Sequence, residues 1–200
     1  IRDLTSESLV VSAPALPVAD WQSHLGGTIK IGTVVQEFMT FEEVVRFLSP
    51  EQLRWSFFPQ RDQKIVFGFS LYGNLFRRYD AQLKTLGLHL KKTLRQQGTS
   101  SRFVVAKDSN LTSVQVTKNK MIERGADIMV VIGLHRCYLA RTESVQDFED
   151  FSRRDYDRPA RDIVSGMLPP KVARMMINLA GVPPSAHLHD PFCGSGTIFP

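Results

Sequence analysis

Lys64-Ile65-Val66-Phe67-Gly68-Phe69-Ser70-Leu71-Tyr72 is an unbroken β-forming run that stops at Gly73. Residues 79–97 follow with Leu83, Leu86, Leu90 and Leu94 at spacings of three and four. That spacing makes one apolar helix face, and Gly98 ends it. Residues 102–106 read as a strand and 113–124 as a helix capped by Gly125. Residues 127–132 read as a buried strand, and 138–141 as part of another. Strands alternating with helices in this way predict an α/β unit over 64–141.

Outward to the N-terminus, residues 28–38 (TIKIGTVVQEF) alternate and are rich in β-branched side chains, so they predict a strand. A short helix at 18–25 is closed by Gly26 and Gly27, and 8–13 (SLVVSA) reads as a short strand. Thr40 with Glu43 three residues later predicts a capping box and a helix to Leu48. The resulting β-α-β-α order is most of a ferredoxin-like unit, whose remaining strand–helix portion is expected ahead of Ile1. Outward to the C-terminus, 146–168 is charged, aromatic and punctuated by Pro and Gly, as an ordered linker would be. Pro169 and Pro170 suit the first turn of a helix through Ala180, stopped by Gly181 and Pro183. A short strand at 187–189 and a turn at 190–197 complete the reading.

Composition narrows the class. Of 200 residues, 42% are apolar and 22% charged, which excludes global disorder. The longest apolar run, 128–132, is far from the roughly 18 residues of a membrane span. Residues 9–19 lack the basic start of a signal peptide and are broken by Pro14 and Pro17. Cys137 and Cys193 form no CxxC, which argues against a disulfide scaffold or structural zinc and suits a reducing cytoplasm. His187, His189 and Asp190 are too few for a metal site, so no metal is expected. The first residue is Ile1 and the last is Pro200, and both ends read as cuts in a longer chain.

The net charge of +5 is unevenly spread. Residues 1–60 carry −3, 61–135 carry +8, and 136–200 are neutral. Charge alone leaves two readings of the middle segment open: a polyanion partner, or a solvated Lys-rich face. Lys118, Asn119 and Lys120 on the expected 113–124 helix, with Arg124 one turn on, are the leading phosphate contacts. Lys91, Lys92 and Arg95 come next. Phe67 and Phe103, on strands among Val and Ile, belong to a core rather than to stacked bases. The run 153–161 reads equally as RNA contact or as internal pairing with Asp155, Asp157 and Asp162.

The sharpest motif is Asp190-Pro191-Phe192-Cys193-Gly194-Ser195-Gly196-Thr197, placed where a strand should stop and a helix start. Open α/β sheets bind nucleotides at such a point. Gly194 and Gly196 let the backbone approach a ligand, and the helix start near Thr197 would favour a carboxylate. Asp190 at the strand end would attract an ammonium. S-adenosylmethionine carries both charges on its methionyl tail and has no phosphate. The string has no Gly-Lys-[Ser/Thr], so it is not a P-loop, and Phe199 breaks a dinucleotide fingerprint.

The string resembles motif I of class I amino-methyltransferases acting on exocyclic nitrogens of bases. Upstream, Leu25-Gly26-Gly27-Thr28-Ile29-Lys30-Ile31, Phe67-Gly68-Phe69-Ser70-Leu71-Tyr72-Gly73, Gln115-Val116-Thr117-Lys118-Asn119-Lys120, Arg153-Arg154-Asp155-Tyr156-Asp157-Arg158-Pro159, Gly166-Met167-Leu168-Pro169-Pro170-Lys171 and Asn178-Leu179-Ala180 occur in that order. Together they resemble the THUMP-containing tRNA guanosine-N2 methyltransferases, the archaeal guanine-10 type and its bacterial relatives, over about residues 20–198. The resemblance implies an α/β (α+β) chain with a partial ferredoxin-like domain at 1–60 and a THUMP RNA-binding domain at 61–145. A linker at 146–168 and the first strand and turn of a Rossmann-fold methyltransferase domain at 169–200 would follow. It implies S-adenosyl-L-methionine as cofactor, lined by Asp190, Phe192, Gly194, Ser195, Gly196 and Thr197, with Pro169 packed beside it. It implies tRNA as partner, gripped at the acceptor end, rather than DNA or a membrane, and leaves room for a small activator subunit. It also tips Lys118, Asn119, Lys120, Arg124, Lys91 and Lys92 toward RNA.

The departure is at the far end. The family places its chemistry on an Asn/Asp-Pro-Pro-Tyr tetrad, whose ring stacks on a base turned into the site. No such tetrad occurs in residues 1–200, nor does the acidic residue that would hold the ribose. The chain as given is therefore expected to hold no catalytic residue, to be inactive, and to leave its last 30 residues poorly supported. Two other readings stand beside this one: a DNA amino-methyltransferase fragment, which should lack the basic 64–141 unit, and a naturally short RNA-binding adaptor.

Overall fold

The computed structural model describes the chain except residues 15–16, 59–63, 74–75, 158–166, 182, 184 and 194–200. Two short strands, β1 (Asp3–Leu4) and β2 (Leu9–Val10), form a hairpin closed by hydrogen bonds between Thr5 and Ser8. The strand expected at 8–13 is thus two residues long, since its partner β1 offers only Asp3 and Leu4 to pair with. Helix α1 (Val18–His24) and strand β3 (Lys30–Phe38) follow as the spacing indicates. Helix α2 (Phe41–Phe47) starts at Thr40, whose hydroxyl accepts the Glu43 N–H at 3.3 Å. The Glu43 carboxylate reaches back to the N–H of Met39 rather than of Thr40, so the box closes one residue early.

Helix α3 (Pro50–Phe57) is an element the periodicity did not reveal. Its start signals are ordinary: Ser49 accepts the Gln52 N–H at 3.2 Å, and Pro50 occupies the first turn. Only Leu53 and Phe57 anchor it in the core. Next come β4 (Ile65–Gly73), α4 (Asp80–Gln96), β5 (Ser101–Val104), α5 (Ser113–Lys118), β6 (Gly125–Ile132) and β7 (Cys137–Val145).

The sheet order is β3-β7-β6-β4-β5. β4 lies parallel to both β5 and β6, whereas β7 is antiparallel to β6 and β3. Alternation assigns the two faces. Phe67, Phe69, Leu71, Phe103, Ile128, Val130 and Leu139 face α2, α3 and α4 in the main core. Val66 and Val104 face the other way, against Leu111, Val116 and Met121 around α5. Phe67 and Phe103 are therefore core residues, 5.2 Å apart between ring centroids.

β3 comes from the front of the chain yet pairs with β7 from Lys30↔Val145 to Phe38↔Cys137. The sheet thus runs across residue 60, where the sequence reading divided the chain. The tie is also electrostatic. Lys30 on β3 donates to Asp127 Oδ2 on β6 at 2.6 Å and to Ser70 Oγ on β4 at 2.9 Å, deep in the protein.

The linker contains helix α6 (Phe148–Tyr156), started by Asp147, which accepts the Glu149 and Asp150 N–H groups at 3.1 and 3.0 Å. Arg153 and Arg154 both pair with Asp150. Helix α7 (Pro170–Ala180) ends at Gly181 in the left-handed region, φ 62°. It is better supported than its position near the chain end suggests. Ala173 is buried, and Lys171 and Arg174 place their cations 5.5 and 5.1 Å from the Phe151 ring centroid. The strand expected at 187–189 does not form, because among the described residues no other strand pairs with it.

Candidate functional site

Parallel pairing aligns the starts of three strands. Val66 sits opposite Arg102 on β5 and opposite Gly125 on β6. Lys64 just precedes β4, and the connection from α5 to β6 runs through 119–124. Lys64, Arg102, Lys118, Lys120 and Arg124 therefore gather at one edge, where with Val66 and Asn119 they line a cleft of about 550 Å³. All five cations are exposed, and among the described residues none has a carboxylate partner.

This edge is the amino end of the parallel strands. Ligands of open α/β sheets usually sit at the carboxyl end, where helix N-termini point. Here α4 and α5 present their C-termini, whose carbonyls are partly negative. An anion in this cleft must be held by side chains alone.

The sequence reading placed Lys118, Asn119, Lys120 and Arg124 on one helix to residue 124. The helix instead stops at Lys118. Lys120 takes φ 51°, and its N–H donates to the Thr117 carbonyl at 2.9 Å while Met121 N–H donates to Val116 at 3.0 Å. This is a Schellman turn, which pulls Met121 into the core beside Val116. The four residues still converge, through a turn rather than a helix face. Asn119 is partly committed, since its Nδ2 donates to the Gln115 carbonyl at 2.8 Å.

Lys64 and Arg102 were not singled out in the sequence. The available signal was parity: Phe103 points to the core, so Arg102 beside it must point away. Lys91 and Lys92 belong to α4, the layer covering the other face of the sheet, and they do not line the cleft. The Ser70 hydroxyl and the Lys30–Asp127 pair sit inside the fold rather than at a surface. Burial pushes the Lys30 ammonium down from its ordinary range, and the Asp127 charge opposes that shift.

The second cluster is the turn after α7. Asp190 Oδ1 accepts the Phe192 N–H at 2.9 Å, which bends the chain back on itself. Oδ2 of the same carboxylate has no partner among the described residues, so it is available to an ammonium. Phe192 is 90% exposed and Cys193 is exposed. Gly194, Ser195, Gly196 and Thr197 lie outside the described residues. Pro169 is the exposed N-cap of α7. The donor set that is described, one half-used carboxylate, fits the cationic end of the S-adenosylmethionine tail.

Helix α7 is locked to the front of the chain. Arg174 donates to the Ser23 carbonyl at 2.6 Å and Asn178 to the His24 carbonyl at 2.7 Å, which satisfies the open C-terminal end of α1. Gln146 Nε2 reaches the Gly26 carbonyl at 3.0 Å. At Gly26 the backbone of α7 comes so close that a Cβ would run into the Lys171 carbonyl.

Residues 158–199 match the family described as RMKL-like, methyltransferase domain. The match begins just after α6 and takes in α7 and the Asp190 turn. No curated protein is significantly similar to the chain. A crystal structure of a predicted N6-adenine-specific DNA methylase from Listeria monocytogenes str. 4b F2365 is similar at 18% identity, with a TM-score of 0.38. The similarity covers 85% of this chain and 39% of that one, so this chain spans about two fifths of that protein's length. Among the described residues, no helix is long and apolar enough to cross a membrane, and no three His, Cys, Asp or Glu side chains group as metal ligands.

Proposed function

We propose that this chain is the nucleic-acid grip and the first cofactor motif of an S-adenosylmethionine-dependent tRNA methyltransferase. In this reading the enzyme methylates the exocyclic amine of a guanosine, of the guanine-10 type, in the cytoplasm. The observation that carries the reading is the convergence of five cations, without a carboxylate partner among the described residues, on one edge of a module with a net charge of +8. The same chain continues into a segment that matches a methyltransferase domain. The front and middle of the chain, assigned to ferredoxin-like and THUMP units, would hold the acceptor end of tRNA. Lys118, Lys120 and Arg124, joined by Lys64 and Arg102, would neutralise its phosphates.

Asp190 would hold the ammonium of the cofactor, with Phe192 and the segment 194–197 around it. When bound, S-adenosylmethionine supplies an electrophilic methyl group. The groups that receive the target amine lie beyond residue 200 in this reading, so residues 1–200 alone bind but do not methylate.

The test uses the protein with its complete methyltransferase domain, labelled S-adenosylmethionine, and tRNA or duplex DNA. N2-methylguanosine in digested tRNA is the expected product. N6-methyladenine in DNA as the main product would replace this reading by the DNA-modifying one. Titration with S-adenosylmethionine should show binding that Asp190→Ala abolishes.

A further inference from the structure

Two helices of this chain end in the same turn at the same edge of the sheet. At the end of α4, Gly98 N–H donates to the Arg95 carbonyl at 3.0 Å and Thr99 N–H to Leu94 at 2.8 Å. At the end of α5, Lys120 and Met121 make the equivalent bonds to Thr117 and Val116 at 2.9 and 3.0 Å. The residue that swings left-handed is glycine in the first turn, φ 77°, and lysine in the second, φ 51°. Among the described residues, Lys120 is the non-glycine residue in this region. Glycine takes the conformation freely, whereas a Cβ there crowds the backbone. The fold therefore has a strain-free solution for this turn and does not use it at residue 120.

What lysine adds is a side chain, and that side chain lines the basic cleft. Strained backbone held where a ligand is expected points to the ligand. The cleft's other features define what that ligand is. Among the described residues its cations have no carboxylate partner, and neither a carboxylate nor an aromatic ring lines it. A base has nothing to stack on there, and a lining dominated by five cationic side chains suits oxyanions.

We infer that Lys120 anchors a site for the phosphodiester backbone of RNA, one that grips without reading bases and for which the left-handed strain at residue 120 is retained. The inference rests on the proposed RNA-modifying function and goes further by naming the anchor and the mode of recognition.

The experiment compares Lys120→Gly, Lys120→Ala and Lys120→Arg in this chain. Thermal unfolding and fluorescence-anisotropy titrations with tRNA, poly(U), poly(A) and duplex DNA are run over a range of salt. Lys120→Gly should raise the melting temperature by about 2 to 4 °C, because the strain is released. It should also weaken all three RNAs alike, by about tenfold, and lower the salt slope by about one. Lys120→Ala should lose the same affinity without the stability gain, and Lys120→Arg should keep the affinity.

Unchanged RNA affinity in both the Gly and Ala variants overturns the anchor while leaving the broader function standing. A loss confined to one homopolymer overturns backbone-only recognition. Wild-type chain that binds none of the three RNAs, or that binds duplex DNA more tightly, overturns this site and the RNA-modifying reading together.

Discussion

Lys30 Nζ lies 2.6 Å from Asp127 Oδ2, with both side chains almost wholly inside the protein. The carboxylate also accepts the Ser70 and Thr142 hydroxyls at 2.7 and 2.8 Å. Ser70 Oγ in turn accepts the Leu111 N–H at 3.1 Å. One cluster thus ties β3, β4, β6 and β7 and fixes the loop ahead of α5. Its groups are mutually satisfied, which is the condition for a buried ion pair to persist.

Removing one partner is therefore worse than replacing both. Asp127→Ala should destabilise the fold by about 3–5 kcal/mol, since it strands a buried ammonium. Lys30→Met combined with Asp127→Asn should recover much of that, because the amide oxygen still accepts from one of the two hydroxyls and its NH2 donates to the oxygen of the other. Urea unfolding of Lys30→Met, of Asp127→Asn and of the double measures the coupling. Additive effects would mean that the pair does not interact as drawn.

The close approach at Gly26 gives a local prediction. Gly26→Ala has no room against the α7 backbone, so α7 must lift off α1. Amide exchange should accelerate across 170–180 and stay unchanged in β4 and β6. Arg174→Ala with Asn178→Ala should act in the same direction more weakly, each losing a bond of about 1 kcal/mol to the end of α1. Uniform acceleration across the whole chain would instead indicate global destabilisation.

Most elements were legible because they have strong local patterns. The leucine spacing of α4, the β-branched run of β3 and the glycine closing α7 each encode their own structure. Besides α3, three features were not. The partner of β3 is set by long-range pairing with β7, which no local window contains. The end of α5 at Lys118 depends on Met121 being drawn into the core, against the preference of Lys120 for a right-handed backbone. Helix α6 sits in a charged stretch whose single deep anchor, Phe151, gives no periodic signal. At the site, the basic residues of 118–124 were readable from charge. Lys64 and Arg102 join them only through the parallel register of β4 and β5.

That register has a binding consequence. If the cleft is one surface, Lys64→Glu with Arg102→Glu should weaken tRNA binding as much as Lys118→Glu with Lys120→Glu. Each pair should reduce affinity by at least tenfold and flatten the salt dependence. Lys91→Glu with Lys92→Glu, on the other layer of the fold, should do much less. Electrophoretic-mobility titrations at two salt concentrations distinguish these outcomes. Equal effects from all three pairs would mean that net charge, rather than the cleft, holds the RNA.

The two thiols should behave differently, and one of them should make the fold sensitive to alkali. Cys193 is exposed, whereas Cys137 is buried at the start of β7. Burial, with the charges of Glu42 and Glu43 behind it, pushes the Cys137 thiol from an ordinary 9.0 up to about 11. Below pH 9 the folded and unfolded chains both keep that proton, and stability is at its full value. Between pH 9 and 11 the unfolded chain releases it and the folded chain does not, so stability falls as pH rises, by on the order of 2 kcal/mol. The Tyr72 phenol, pushed up by burial and by Asp127, adds to the loss above pH 10. Urea midpoints at pH 8, 9.5 and 11 should therefore decline in the wild type. Cys137→Val should flatten the first part of that decline, and an unaltered slope would exclude Cys137 as its source. A disulfide reagent at pH 8 should meanwhile titrate one thiol quickly, Cys193, and reach Cys137 only when the chain unfolds.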